Sequence, residues 1–217
     1  MFTGIIREIG QVVRVRRRQD VVELLVRAPD TAAAVGPLES VSISGVCLTV
    51  VSARQGVLIF EVIPETQRLT SLGTVRAGDR VNVEPSLAVT GRFNGHVVFG
   101  HVDGVGTVMR RRQRDGELVL DIRVDRRLRP SLVSKGPVAL DGVSLTVGRT
   151  IAASSFSVHL IPETLRQTTL GERRPGGRLN IELDYVAKLV RQYLDSCGPA
   201  DYVSRRKLLT SRRKALA

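Results

Sequence analysis

The feature that most constrains this chain is that its sequence is written twice. Gly45-Val46-Cys47-Leu48-Thr49-Val50 returns as Gly142-Val143-Ser144-Leu145-Thr146-Val147, 97 positions on. The block from Ile63 to Gly73 returns from Ile161 to Gly171, 98 positions on, with eight of eleven residues identical. Arg80-Val81-Asn82-Val83-Glu84 also returns at 98, as Arg178-Leu179-Asn180-Ile181-Glu182. Three ordered blocks at one spacing identify a tandem duplication of a unit close to 97 residues. The one-residue change of spacing falls between Arg54-Gln55-Gly56 and Ala153-Ser154-Ser155, where a turn absorbs an insertion at little cost.

Each unit reads as β. From Glu117 to Asp125, Leu118, Leu120, Ile122 and Val124 face one way and Asp121, Arg123 and Asp125 the other, the period of a half-buried strand. Val21–Arg27, Val57–Val62 and Phe156–Ile161 are β-branched runs bounded by turn residues. Short strands at this spacing predict an all-β protein with one small barrel of about six strands per unit. One helix is expected after the repeats. Asp184 can cap it, Val186, Leu189, Val190 and Leu194 recur at helical spacing, and Gly198-Pro199 ends it. The division is then 1–95, 96–184, a helix over 185–198 and a basic tail over 199–217. The apolar stripe of the helix belongs to neither barrel, so a partner subunit is the expected cover.

Composition closes other routes. A 42% apolar and 25% charged chain is an ordinary globular one, which excludes disorder throughout. No run approaches the roughly 18 apolar residues of a membrane helix. Met1 to Ile6 shows no basic leader before an apolar stretch, so a cytoplasmic location is expected. Two cysteines, Cys47 and Cys197, make neither a disulfide framework nor a four-cysteine zinc site. The net charge of +12 invites a nucleic-acid reading, but arginine supplies 29 of the 33 basic residues, a skew that fits biased composition. Six of the excess charges sit between Val203 and Ala217, without the interleaved aromatics of a nucleic-acid platform.

The motifs go further. Met1-Phe2-Thr3-Gly4-Ile5-Ile6, Cys47-Leu48-Thr49, Gly100-His101-Val102-Asp103-Gly104, the Asp141–Val147 block, both Pro-Glu-Thr blocks and Asn180-Ile181-Glu182-Leu183-Asp184 occur in order over roughly residues 1–195. Together they resemble the riboflavin synthase family. The resemblance implies two tandem duplicated six-stranded Greek-key barrels plus a C-terminal α-helix, assembled as a homotrimer. It implies a transferase that dismutates two molecules of 6,7-dimethyl-8-ribityllumazine by four-carbon transfer, giving riboflavin and 5-amino-6-ribitylamino-uracil. It implies no cofactor and no metal, a site between the N-terminal barrel of one subunit and the C-terminal barrel of the next, and room for association with lumazine synthase. Neither a membrane nor a nucleic acid is an expected partner.

By the same resemblance the catalytic candidates are Ser144, His101, Cys47, Thr146 and Asp184. Substrate contacts are expected from Gly4, Ile5 and Ile6, from Cys47, Leu48 and Thr49, and from Glu61, Val62, Ile63, Pro64, Glu65 and Thr66. Gly100, His101 and Val102 join them at the junction, with Lys135, Ser144, Leu145 and Thr146 in the second unit. His159, Leu160, Ile161, Pro162, Glu163 and Thr164 complete the set. His101 is the expected proton carrier near neutral pH, Ser144 the group that binds or activates the attacking oxygen, and Asp184 a residue reaching the site from the interface.

Each has a plainer reading. Cys47 alone would be a small buried strand residue, and its correspondence with Ser144 is what lifts it. Glu65 and Glu163 serve equally as turn residues, since duplication copies turns as faithfully as sites. His159 points away from Phe156, Val158 and Leu160, toward either a pocket or solvent. His96, five residues before His101, is expected on the opposite strand face, so a shared metal is not. Three positions depart from the family: Ser44 stands for Asn or Asp, Asn94 for glycine, and Phe99 for the usual serine, on the expected face of His101. The replacement of Cys47 by Ser144 and of Ser44 by Asp141 suits a reaction with unlike donor and acceptor. Besides the enzyme, a silent lumazine- or flavin-binding protein of the same fold and a basic nucleic-acid-binding barrel remain as readings, and the retained motif residues favour the enzyme.

Overall fold

The computed structural model describes residues 1–18, 20–114, 116–152 and 154–196. Its first unit runs β1 (Glu8–Arg18), β2 (Val21–Arg27), α1 (Pro29–Ala34), β3 (Ser40–Ile43), β4 (Val46–Arg54), β5 (Val57–Val62), α2 (Pro64–Leu69) and β6 (Arg80–Pro85). The strands pair antiparallel in the order β1-β2-β5-β4-β3-β6, and β6 returns to β1, closing a Greek-key barrel. The second unit runs β7 (Gly104–Arg114), β8 (Glu117–Arg123), β9 (Pro137–Leu140), β10 (Val143–Thr146), β11 (Thr150–Ala152), β12 (Ser155–Leu160), α3 (Pro162–Gln167) and β13 (Arg178–Leu183).

Strands β10 and β11 share the place that β4 fills alone, and they lie at opposite ends of the sheet order β10-β9-β13-β7-β8-β12-β11. The second barrel therefore closes through the bend at 147–149. Gly148 N–H donates to Ser157 O at 2.8 Å and Ser157 N–H to Arg149 O at 2.9 Å, tying that bend to β12. Corresponding strands lie 96 residues apart at β1 and β7, 97 at β3 and β9, and 98 at β5 and β12. The duplication thus absorbed a second single-residue change between β2 and β3, in a stretch where no repeated block marks it.

Alternation builds each interior. Leu24, Val26, Leu58 and Phe60 fill the first barrel, and Leu118, Leu120, Ile122, Phe156 and Val158 the second, all 0% exposed. One outward residue differs from expectation. Asp121, on the polar side of β8, is 4% exposed, because the Arg112 guanidinium lies over it at 2.6 Å.

The barrels are joined by exchanged segments related by an approximate two-fold. Phe2 and Val98, equivalent in the repeat, pair with each other through two backbone hydrogen bonds of 2.7 and 3.1 Å. Ile6, from the leading segment of the first unit, packs in the core of the second barrel. Its counterpart Val102 packs against the core of the first. Asn82 and Asn180, both buried, repeat the exchange. Asn82 donates to Asp141 O (2.9 Å) and accepts from Thr169 N–H (2.8 Å). Asn180 donates to Ser44 O (2.8 Å) and accepts from Ser71 N–H (2.7 Å).

The final helix, α4 (Tyr185–Ser196), starts where expected, with Asp184 accepting from the N–H groups of Val186 and Ala187. Its Val186, Leu189, Val190 and Leu194 are 48–62% exposed. No helix among the described residues is long and apolar enough to cross a membrane. Gly198-Pro199, Cys197 and the basic segment 203–217 lie outside the described residues.

Asn82→Ala leaves a buried carbonyl and a buried N–H without their partner, so it should cost about 2–4 kcal/mol of stability. Urea unfolding measures this; a loss below about 0.5 kcal/mol, the size of an ordinary surface change, would show that this amide does not join the barrels.

Candidate functional site

Two buried carboxylates build the ground for the site. Glu84 on β6 accepts from Thr3 N–H (2.8 Å), Thr3 Oγ1 (2.9 Å) and Gly4 N–H (3.0 Å). Glu182 on β13 accepts from Phe99 N–H (2.7 Å) and Gly100 N–H (2.9 Å). Each bracket bends its segment onto the opposite barrel. Gly4 O accepts from Ser144 N–H at 2.8 Å, and Gly100 O accepts from Cys47 N–H at 2.9 Å. Both glycines hold left-handed φ values, 77° and 75°, and a Cβ on either would sit 2.6 Å from the Cβ of Ser144 or Cys47. Burial pushes the Glu84 and Glu182 carboxyls above the usual range, while the N–H donors pull the other way.

The second barrel carries a pocket of about 340 Å³ lined by Lys135, Ser144, Leu145, Thr146, His159, Ile161 and Thr164, with Gly148. Seven of these eight residues are expected from sequence. Lys135 is fixed at φ 64° with its N–H on Val147 O at 2.9 Å. Ile161, 60% exposed, gives the pocket an apolar side. His159 lines the pocket and bonds Glu117 through Nδ1 at 2.9 Å, so it meets both a pocket and a carboxylate. In the first barrel the corresponding positions hold Leu38, Cys47, Thr49, Glu61, Ile63 and Thr66. The two surfaces share a frame and differ at Lys135 against Leu38, Ser144 against Cys47, and His159 against Glu61.

The histidine at Ser144 is His96. Its Nδ1 lies 2.7 Å from Ser144 Oγ, and burial holds its pKa below the ordinary value, with the Asp184 charge acting against that shift. The expectation of opposed strand faces fails here, because residues 91–97 form an irregular connection, with Gly95 pressed onto Thr3 and Ser144. The only local signal for His96 is that neighbouring glycine. His101 follows the bracketed Gly100 and is exposed; its ring stacks on Phe99 with centroids 5.9 Å apart. Phe99 in turn meets the edge of Tyr185 at 4.9 Å. The departure from serine therefore builds an aromatic stack against α4, which the Lys188–Asp103 pair (3.0 Å) also anchors.

Other candidates lie apart from the pocket. Asp184 caps α4 and faces His96 through its charge. Leu48, Val62 and Leu160 point into the barrel interiors, leaving only their backbone to a ligand. Pro64 and Pro162 open the one-turn helices α2 and α3. Glu65 pairs with Arg68 at 2.7 Å, and Glu163 with Arg166, which holds the Glu163 carboxyl below the usual range. Asp141 is fully buried at the barrel junction, its carboxyl bonded to Arg173 at 2.6 Å and to the Asn180 N–H at 2.8 Å, so its difference from Ser44 serves packing within the second barrel. Ser44 keeps that turn at φ 46°, close to the 45° of Asp141.

Comparison with known proteins agrees with this duplicated frame. The lumazine binding domain family matches residues 3–86 and again residues 99–184. The chain is 34% identical over 194 residues to a riboflavin synthase of Actinobacillus pleuropneumoniae, covering 89% of this chain and 90% of that one. It is 39% identical over 201 residues to a riboflavin synthase of Mycobacterium bovis, covering 91% and 100%. Among solved structures, LumP complexed with riboflavin superposes with a TM-score of 0.78 at 22% identity, covering 84% of this chain and 99% of LumP. With both units matched and the relatives aligned along nearly their full length, the chain belongs to the riboflavin synthase family of duplicated lumazine-binding proteins.

Proposed function

We propose that the protein is a riboflavin synthase, converting two 6,7-dimethyl-8-ribityllumazine molecules into riboflavin and 5-amino-6-ribitylamino-uracil. The observation that carries this is the pair of matched but unlike surfaces, one centred on Ser144 and Thr146, the other on Cys47 and Thr49. A reaction between two copies of one molecule needs two similar sites, and a transfer from donor to acceptor needs them to differ. Holding both rings in register makes the encounter effectively unimolecular, an advantage of up to about 7–11 kcal/mol in favourable systems. Residues 1–95 and 96–184 are then the two lumazine-binding units, in a cytoplasmic enzyme that needs neither cofactor nor metal.

The C7 methyl of lumazine is acidic because the ring delocalises the resulting anion, so the site needs a base and donors for the ring oxygens. Ser144 and Thr146 supply hydroxyls and Lys135 a cation beside the ring. A neutral His96 shares one hydrogen bond with Ser144 and orients that hydroxyl toward the oxygen nucleophile that adds at C7. Cys47 and Thr49 serve the first barrel, and His101 beside them carries protons. The exposed stripe of α4 supports assembly as a homotrimer, with the N-terminal barrel of one subunit facing the C-terminal barrel of the next. Association with lumazine synthase fits the same reading.

Purified protein given the lumazine alone should form riboflavin at half the lumazine consumed, read by absorbance. Bound lumazine with shifted fluorescence and no riboflavin would make it a binding protein. The lowered pKa keeps the His96 ring neutral above the ordinary imidazole value of 6.5, where Nδ1 can accept from the Ser144 hydroxyl, and that acceptor is lost as pH falls through the lowered folded value. Turnover should therefore fall on the acid side below 6.5. His96→Gln should remove that acid limb and lower kcat about tenfold or more, and an unchanged limb would contradict the role. Sedimentation should give a trimer; a stable monomer that still turns over would overturn the shared site.

A further inference from the structure

A second recess, about 750 Å³ in volume, lies on the outer face of the second barrel between β7, β8, β12 and the bend before β11. Arg110, Arg112 and Arg149 line it together with Gln113, Ser157 and His159. It adjoins the Ser144 pocket, because His159 lines both. The His159 ring lies against the Gly148 backbone, where a Cβ would come within 3.2 Å of its Cδ2. The His159 imidazole therefore stands where the two spaces meet.

The acidic groups of the recess are already occupied. Asp121 is paired with Arg112 at 2.6 Å and Glu117 with His159 at 2.9 Å. Arg110 and Arg149, both exposed, have no ion-pair partner among the described residues. Two guanidinium groups, each with a planar fork of donors, are thus free to face one anion.

The duplication supplies an internal control. Arg110 pairs across the ladder with Asp121, and the equivalent pair in the first barrel is Arg14 with Leu25. Ser157 pairs with Asp121 where Ile59 pairs with Leu25, and His159 stands where the first barrel has Glu61. The position of Arg149 is held there by Ser52. The first barrel keeps guanidinium groups at Arg14 and Arg16, the counterparts of Arg110 and Arg112, but has the apolar pair Leu25–Ile59, the Ser52 hydroxyl and the Glu61 carboxylate where the second has Asp121–Ser157, Arg149 and His159. Arg149, His159 and Ser157 are therefore what set the second recess apart, on a barrel frame that both units share.

We propose that this recess binds the phosphate of a phosphorylated ribityl compound whose ring occupies the adjoining Ser144 pocket. The second barrel then takes a flavin phosphate more tightly than the unphosphorylated flavin, and the occupant competes with lumazine. This inference rests on the lumazine- and flavin-binding reading of the Ser144 pocket.

The test is calorimetric titration of the full-length protein with riboflavin and with flavin mononucleotide, repeated in an Arg110→Ala/Arg149→Ala double variant. Both side chains are exposed, so the variant leaves the core intact, and Arg112 stays to cover Asp121. Flavin mononucleotide should bind about tenfold or more tightly than riboflavin, a difference of about 1.4 kcal/mol. The double variant should bring the two to parity with riboflavin affinity unchanged. Equal binding in the native protein, or an advantage that survives in the double variant, overturns the proposal. Inorganic phosphate alone provides a separate arm. Its 31P resonance should broaden with the native protein and not with the double variant, and no broadening overturns the anion site. If riboflavin itself fails to bind while phosphate does, the flavin reading of the Ser144 pocket falls and the phosphate-bearing flavin falls with it.

Discussion

The rest of the structure depends on two short bracketed segments. Each begins its own barrel, is gripped by a buried glutamate of that barrel, and lies with its glycine on Ser144 or Cys47 of the other. Glu84 holds Thr3 and Gly4 so that Gly4 O meets the Ser144 N–H, and Glu182 does the same for Gly100 and Cys47. The cost of burying two carboxyls is visible in their raised pKa values, and the N–H donors offset part of it. Ile6 and Val102, each plugging the opposite core, make the exchange apolar as well as polar. Two barrels that could have been beads on a string are thereby one interlocked body.

That interlock explains how a duplicated protein can carry unlike sites. The frame is held by residues that both copies keep: the junction asparagines, the bracketing glutamates and the two glycines. Residues off the frame were free to diverge, and they did so around the pocket of the second barrel and at its counterpart positions in the first, at Cys47 and Ser144, Leu38 and Lys135, Glu61 and His159. Asp141 and Ser44 diverged for another reason. The carboxyl of Asp141 takes Arg173 and the Asn180 N–H, whereas the Ser44 hydroxyl takes the Asn82 N–H alone. Phe99 follows the same logic, losing the hydroxyl that Thr3 gives Glu84 and gaining a stack with His101 and Tyr185.

What the sequence made legible was what periodicity and repetition record. The strands, both interiors and the start of α4 follow from alternation and helical spacing, whereas the pocket around Ser144 and Thr146 is expected from the family resemblance. What stayed hidden was non-local. Asn82 and Glu84 sit in a repeated block, so their recurrence was plain, but what buries them is the other barrel, which no local pattern encodes. Asp121 read as solvated because alternation cannot see Arg112 folding over it. His96 was passed over because the segment before Gly100 reads as a strand, whereas its path is set by the close approach of Gly95 to Thr3 and by a left-handed Gly100.

Each barrel thus positions Ser144 or Cys47 of the other, and the alkylation rate of Cys47, in a Cys197→Ser background so that one thiol reports, is the measurement that tests this. Glu182→Gln, in the second barrel, should change that rate several-fold, while Glu84→Gln, in the same barrel as Cys47, should leave it unchanged. If Glu84→Gln moves the rate and Glu182→Gln does not, the positioning runs within each barrel and the account is wrong.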